Sequence, residues 1–232
     1  RYRSTQRFRL SYSMTNRRPS LNDLFWSPGG NPTLNPEQGH MLELAWNAEW
    51  SRRRLRFLPE VLVYQQEMKD LIRWLPTNQN FWVPVNTEFM RSHGLELAMG
   101  FKQEFKKWSW QIRPAYQYTW SEYLEENKSF LAPGIPVHRF RATASLQYQK
   151  WSLGLQNQIS SDWSNVKEAG PLDQLSGLNV YDLQIHYRNA FKRFPYQLSF
   201  LIQNLGNEAY AFRPFMPMPG RSFQIKLTLT MS

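Results

Sequence analysis

The chain has 232 residues, 16% of them aromatic with ten Trp, a ring content high for a soluble globule, and a length that suits one large β-domain or two small domains. It has no Cys, which excludes a disulfide framework and thiolate metal sites, and no run approaches about eighteen consecutive apolar residues, which excludes a helical membrane span. The net charge of +10 raises nucleic-acid binding, yet the basic residues gather in short clusters, Arg52-Arg53-Arg54, Lys106-Lys107 and Lys192-Arg193, that suit turns against an anionic headgroup layer or plain solvated turns. Mean hydropathy of −0.61 decides little, because a barrel strand that crosses a membrane is only half apolar. Arg1-Tyr2-Arg3-Ser4 carries no apolar signal core.

Ten segments in chain order show the two-residue period of a strand with one apolar and one polar face. The first sets Phe8, Leu10, Tyr12 and Met14 against Arg9, Ser11 and Ser13, and the second sets Leu42, Leu44, Trp46, Ala48 and Trp50 against Glu43, Asn47 and Glu49. The third has Leu55, Phe57, Val61 and Val63 on one face, with Pro59 predicting a bulge or a strand start. Leu95, Leu97, Met99 and Phe101 mark the fourth; Trp108, Trp110, Ile112, Tyr116, Tyr118 and Trp120 oppose Gln111, Arg113 and Gln117 in the fifth. Phe140, Ala142, Ala144, Leu146 and Tyr148 oppose Arg141, Thr143, Ser145 and Gln147 in the sixth, and Trp151, Leu153, Leu155 and Ile159 mark the seventh. The eighth sets Tyr181, Leu183, Ile185 and Tyr187 against Asp182, Gln184, His186 and Arg188. Tyr196, Leu198, Phe200 and Ile202 form the ninth, and the tenth alternates from Phe223 to Met231 against Gln224 to Ser232.

Connections at Ser51 to Arg54, Phe105 to Lys107, Gln149-Lys150 and Asn189 to Pro195 are short. Those at Thr15 to Gly39, Glu67 to Val83, Ser121 to Pro136, Ser160 to Leu178 and Leu205 to Gly220 are long. A meander with short turns at one end and long loops at the other, with aromatics near strand ends, is the pattern of an outer-membrane barrel. The expected fold is all-β, an antiparallel up-and-down transmembrane β-barrel segment. A soluble β-barrel or sandwich, with the apolar rows turned inward, shares the alternation and stays open at this point.

RRPSLNDLFW at Arg17 to Trp26, GGNPTLNPEQGHMLELAW at Gly29 to Trp46, VNTEFMRSHGLELAMG at Val85 to Gly100, IQNLGNEAY at Ile202 to Tyr210 and PMPGRSF at Pro217 to Phe223 follow one another along the chain. Together they resemble the C-terminal part of the β-barrel of a TonB-dependent outer-membrane receptor. DLIRWLPTNQNFWVPVN at Asp70 to Asn86 resembles a loop of relatives that take up cobalamin or ferric chelates. The resemblance implies that residues 1–232 are the C-terminal portion of a barrel of about 22 strands, with the plug domain and N-terminal strands outside this sequence. Ten strands leave two open edges, so a second polypeptide, or a missing N-terminal part, is expected to supply the remaining strands and the plug.

The same resemblance implies residence in the Gram-negative outer membrane, with long loops extracellular and the C-terminus periplasmic. It implies TonB-dependent uptake of a scarce nutrient such as cobalamin, a ferric siderophore or a similar chelate, with the TonB complex reached indirectly through the plug. Outer-membrane lipid, the nutrient ligand and a surface lipoprotein are the implied partners, and nucleic acid is not. A plugless porin-like or structural barrel is the alternative. No catalytic motif is found, the four His at 40, 93, 138 and 186 have no metal-ligand spacing, and neither a cofactor, a metal nor enzyme activity is expected.

Polar rows of Glu43, Glu49, Glu96, Arg113, Arg141, Asp182, His186 and Arg188 are candidates for a lumen wall that holds a plug, against the reading of a generic wetted wall. In the long loops, Arg18, Trp26, Trp120, Tyr123, Trp163 and Phe215 are candidate ligand contacts, against the reading that they pack the loops or anchor the interface.

Overall fold

The computed structural model describes residues 2–79, 81–125, 128–132, 135–162, 176–191, 194–212 and 216–230. The elements are β1 (Tyr2–Arg17), α1 (Leu21–Phe25), β2 (Glu37–Arg52), β3 (Leu55–Pro76), β4 (Trp82–Glu104), β5 (Trp108–Glu125), β6 (Lys128–Leu131), β7 (His138–Tyr148), β8 (Trp151–Ser160), β9 (Asn179–Phe191), β10 (Phe194–Gln203) and β11 (Ser222–Leu229). Among the described residues they build one 11-stranded antiparallel sheet in simple up-and-down order, with the short β6 paired only to β5. β1 and β11 stand at opposite ends of the strand order, so the sheet is open.

The alternation read from the sequence is the alternation of faces. Leu10, Leu44, Val63, Leu95 and Tyr118 are direct cross-strand partners and share one face by register. That face is bare: Phe8 is 73% exposed and Ile225 73%. Apart from prolines, the buried apolar side chains among the described residues are few, Leu34, Ala48, Ile72, Ala132, Leu178 and Val180, and of these all but Ala48 sit at the long-loop end. An antiparallel sheet that wets its polar face and leaves its apolar face uncovered has no core of a soluble kind.

Three expectations change. The connection expected at Glu67 to Val83 is mostly strand: β3 runs to Pro76 and β4 starts at Trp82, with Leu71 to Pro76 paired to Thr87 to Trp82. The connection expected at Ser121 to Pro136 contains the end of β5 and the short β6. Pro59 makes neither a bulge nor a strand start. Asn47 pairs Glu60 and Trp50 pairs Phe57 in one register, and Pro59 pairs Met99 on its other side, so the missing N–H interrupts a ladder without shifting it. Lys192, Arg193 and Met231 lie outside the described residues.

Candidate functional site

The polar face is concave across β1 to β7 and encloses a cavity of about 690 Å³ walled by Arg7, Arg9, Glu60, Glu96, Arg113, Gln117, Arg139 and Arg141. Arg113 donates to both oxygens of Glu60, at 3.0 and 2.9 Å, reaching over β4 where the intervening side chain in Glu60's row is only Ala98. Gln117 Nε2 donates to Glu96 at 3.2 Å, and Arg139 donates to Gln117 at 3.4 Å, which ties β4, β5 and β7 into one polar chain. Five arginines face two glutamates in this wall. Arg7, Arg9 and Arg141 have no carboxylate within ion-pair distance among the described residues, so the surface presents unneutralised positive charge.

All eight wall candidates from the sequence lie on this face. Glu96, Arg113 and Arg141 line the cavity itself; Glu43, Glu49, Asp182, His186 and Arg188 lie outside it. Glu49 accepts from Ser51 at 3.2 Å, Arg188 donates to Gln197 at 2.7 Å, and His186 Nδ1 is hydrogen-bonded to the Ser199 hydroxyl at 2.9 Å. Asp182 accepts the Asn204 backbone N–H at 2.8 Å. Burial, with the Asp182 charge, pushes the phenol of Tyr210 above its ordinary value. Arg7, Arg9, Glu60, Gln117 and Arg139 were not among the candidates. Strand parity alone puts each of them on this face.

At the long-loop end, the connection 18–36 folds down onto β3 and β4. Ser20 caps α1 in a capping box: its hydroxyl accepts from Asp23 N at 3.1 Å, and Asp23 Oδ2 accepts from Ser20 N at 2.8 Å. The other Asp23 oxygen, Oδ1, accepts the Trp74 indole N–H at 3.0 Å, and Arg17 lies 3.5 Å from Oδ2. Glu37 takes two bonds from Arg17, both at 2.6 Å, and one from Ile72 N at 2.8 Å. Burial pushes the Asp23 carboxyl up, but the Ser20 backbone and hydroxyl, the Trp74 indole and the Arg17 charge hold it below the ordinary carboxylate value. The Arg17 bonds hold Glu37 below its ordinary value too, against burial and with help from Ile72 N–H.

A second anchor lies beside the first. Asn35 N donates to Asn86 Oδ1 at 2.8 Å, and Asn86 Nδ2 returns to Asn35 O at 3.1 Å and to Asp70 O at 2.6 Å. Asp70 has φ 55, the left-handed region that Asp tolerates better than most residues, and its carboxylate accepts from Asn35 at 3.3 Å. Gly29 is obligatory here, since a Cβ would collide with Trp82 O. Asn204 organises the last loop in the same way: it is 2% exposed, has φ 51, and exchanges side-chain bonds with the backbone N–H and C=O of Glu208, each at 2.8 Å.

The loop candidates divide. Arg18 is exposed on the first loop, and Trp26 caps the C-terminus of α1 at 56% exposure. Trp120 and Tyr123 are not in a loop. β5 continues to Glu125 because its upper half keeps pairing with β4 and then β6, so Trp120 faces the apolar side opposite His93, and Tyr123 sits under the Arg73 guanidinium at 4.1 Å. Trp163 and Phe215 lie outside the described residues. Among the described residues no three His, Asp or Glu are grouped to hold a metal ion.

The model of the TonB-dependent receptor-like β-barrel family matches residues 1–205. The vitamin B12 transporter BtuB of Photobacterium profundum is 32% identical over 92 residues, covering 36% of this chain and 14% of that protein. Its counterpart in Vibrio vulnificus is 33% identical over 86 residues, covering 36% and 13%. Among solved structures, the copper transporter OprC superposes with a TM-score of 0.77 at 18% identity, over 96% of this chain and 37% of that one. The FrpB iron transporter from Neisseria meningitidis gives 0.67 at 16% identity, over 96% and 36%. The ferric-catecholate import receptor Fiu of E. coli gives 0.64 at 17%, over 96% and 32%. At those identities the structures share the fold alone, and the chain spans a minor part of every one of these proteins.

Proposed function

We propose that this chain, which belongs to the TonB-dependent receptor-like β-barrel family, is the C-terminal barrel portion of an outer-membrane receptor that imports a scarce nutrient with TonB-derived energy. The observation that carries the reading is the inverted sheet: a bare apolar face suits lipid, and a concave polar face with a charged cavity suits a plugged lumen. Residues 1–232 then contribute about half of a barrel of about 22 strands. Unpaired edge groups of β1 and β11 are not tolerated in hydrocarbon, so further strands close the barrel, from an earlier part of the same polypeptide or from a second one. The long loops face outward from the cell, and the end of β11, level with the short turns, faces the periplasm.

In this reading the wall residues Glu43, Glu49, Glu96, Arg113, Arg141, Asp182, His186 and Arg188 hold the plug, and the free Arg7, Arg9 and Arg141 meet acidic groups on it. TonB acts through the plug and not on these strands. Cobalamin is the first nutrient to test, because both curated relatives carry the name of vitamin B12 transporters over the matched stretch. A ferric siderophore or a similar chelate comes next. Cells lacking the receptor are complemented with the complete gene, and uptake of labelled cobalamin and of ferric chelates is measured with and without TonB. TonB-dependent uptake of one of them is expected. Uptake that ignores TonB would mean a plugless passive barrel, and recovery of the protein in the aqueous fraction without detergent would end the membrane reading.

A further inference from the structure

Three of the four histidines, His40, His93 and His138, stand on the apolar face, on β2, β4 and β7. Direct cross-strand partners define rows at right angles to the strands. The row through His40 holds Glu67, Arg91 and Glu122; that through His93 holds Leu42, Gln65 and Trp120; that through His138 holds Leu44, Val63, Leu95 and Tyr118. From β2 to β4 to β7 the histidines therefore step down one residue per strand. With about 3.3 Å per residue and about 4.8 Å between strands, that is a slope of about 35° against the rows, the tilt of strands in an outer-membrane barrel.

From β2 to β9 the opposite rim falls by the same amount per strand on average. The row through Arg52, the end of β2, continues through Leu55, Gln103, Trp110, Leu146, Leu153 and Ile185. β9, six strands further on, ends six residues below that row, at Phe191. Two lines with the same slope, one of turns and one of histidines, are two horizontal lines on a tilted sheet. From Trp50 to His40 and from Tyr148 to His138 is ten residues each, and ten tilted residues rise about 25 Å, the height of the apolar band in such barrels.

The side chains fit the edge of that band. Glu67 and Arg91, 3.4 Å apart just above His93, do not belong in hydrocarbon. The Tyr12 and Tyr116 hydroxyls are hydrogen-bonded to Nδ1 of His40 and His138, each at 2.8 Å with the rings stacked. With the phenol as the donor to Nδ1, the imidazole proton sits on Nε2 and is left as an N–H donor. His93 lies beside Tyr118, ring centroids 6.4 Å apart. Lys69, on the same face and without an ion pair among the described residues, adds a cation, while the acids at this level are engaged: Glu67 by Arg91 and Gln65, and Glu122 by the Ser129 hydroxyl at 2.7 Å.

We infer that His40, His93 and His138, with Lys69 and Arg91, form a docking line for anionic phosphomonoester headgroups of lipids in the outward-facing leaflet. The inference rests on the membrane reading above, and the test separates the two. The complete receptor is placed in nanodiscs of phosphatidylcholine, alone or with an equal part of phosphatidic acid. Nitroxide labels are attached at single cysteines replacing His40, His93, His138 or the control Leu44; residues 1–232 hold no Cys, and any Cys elsewhere in the receptor is first replaced by Ser. Equal depth of the three labels at the phosphate level, with the Leu44 label deep in lipid, is expected. The variant carrying His40→Phe, His93→Phe and His138→Phe, which keeps the rings, should hold phosphatidic acid roughly tenfold less well and phosphatidylcholine equally well. His93→Phe alone, which replaces an imidazole that has no hydrogen bond to Tyr, gives the same comparison if the triple variant fails to assemble. Unequal depths, unchanged retention of phosphatidic acid, or equal loss of both lipids overturns the docking line, whereas a water-exposed label at Leu44 overturns the membrane reading itself.

Discussion

Replacing Glu37 by Gln removes the charge that pins the first long loop. The carboxylate side chain is 6% exposed and takes two bonds from Arg17 at 2.6 Å and one from Ile72 N at 2.8 Å. A hydrogen bond to a charged group is worth about 1.5–3 kcal/mol. Arg17, however, is 50% exposed and regains water, and an amide oxygen still serves Ile72 N–H, so most of the array is discounted or retained. The expected local cost is about 2 kcal/mol, or about a 30-fold rise in the open population of the loop. Hydrogen exchange on the assembled receptor reads it at Asn35, whose amide bonds Asn86 Oδ1 on β4 only while the loop is down. Wild-type exchange at this amide would refute the pinning, and faster exchange at Leu44 in the body of β2 would show that the barrel and not the loop had loosened. The pH dependence has a definite sign. Asp23 and Glu37 are held below their ordinary values when folded, so their contribution is complete above the unfolded range of about pH 4 and is lost as pH falls through the lower, folded values. Protection of the loop should be flat from neutral pH to about pH 5 and fall below about pH 4.

Leu44→Glu should destabilise the barrel while Ala45→Glu, its neighbour on the polar face and the partner of Arg9, costs little, as read by the urea midpoint in vesicles; the reverse order would turn the sheet inside out. Glu60→Gln breaks the Glu60–Arg113 pair, whose side chains are 47% and 46% exposed, and should move the thermal midpoint by an amount worth less than about 1 kcal/mol. Gly94→Ala puts a Cβ 2.6 Å from Tyr118 O and from the Tyr64 ring, which crosses Gly94 to bond Thr119 at 3.0 Å, so a loss of about 1–3 kcal/mol is expected in the same urea assay. Asn204→Ala strips the bonds to Glu208, and proteolysis within 204–221 should speed up about tenfold with the barrel intact.

The strands were legible because a bilayer demands one apolar face, and the same demand explains where reading failed. Leu71 to Pro76 and Trp82 to Thr87 pair as regularly as any strand, yet they show no clean alternation. They lie above the row of Glu67 and Arg91, which the membrane reading proposed above places beyond the lipid, where neither face has to be apolar. Pro59 misled for a different reason. A missing N–H weakens a ladder on one side only, and with β4 paired on the other side the strand has no cause to bulge.

Strand parity assigned the wall, but not its bonds. Arg113 finds Glu60 two strands away because Ala98 leaves the gap open, and such a reach depends on the register of two ladders that no local pattern encodes. In the first loop the signal was present in Ser20-x-x-Asp23, a capping box with Asp in place of the longer acid. The geometry of that loop divides the labour within one segment. Asp23, Glu37, Asn35 and Gly29, which lie in the stretches that resemble the family, are spent on holding the loop against β3 and β4. Arg18 and Trp26, exposed between those anchors, contribute no side chain to them, so substitution there should leave the loop in place.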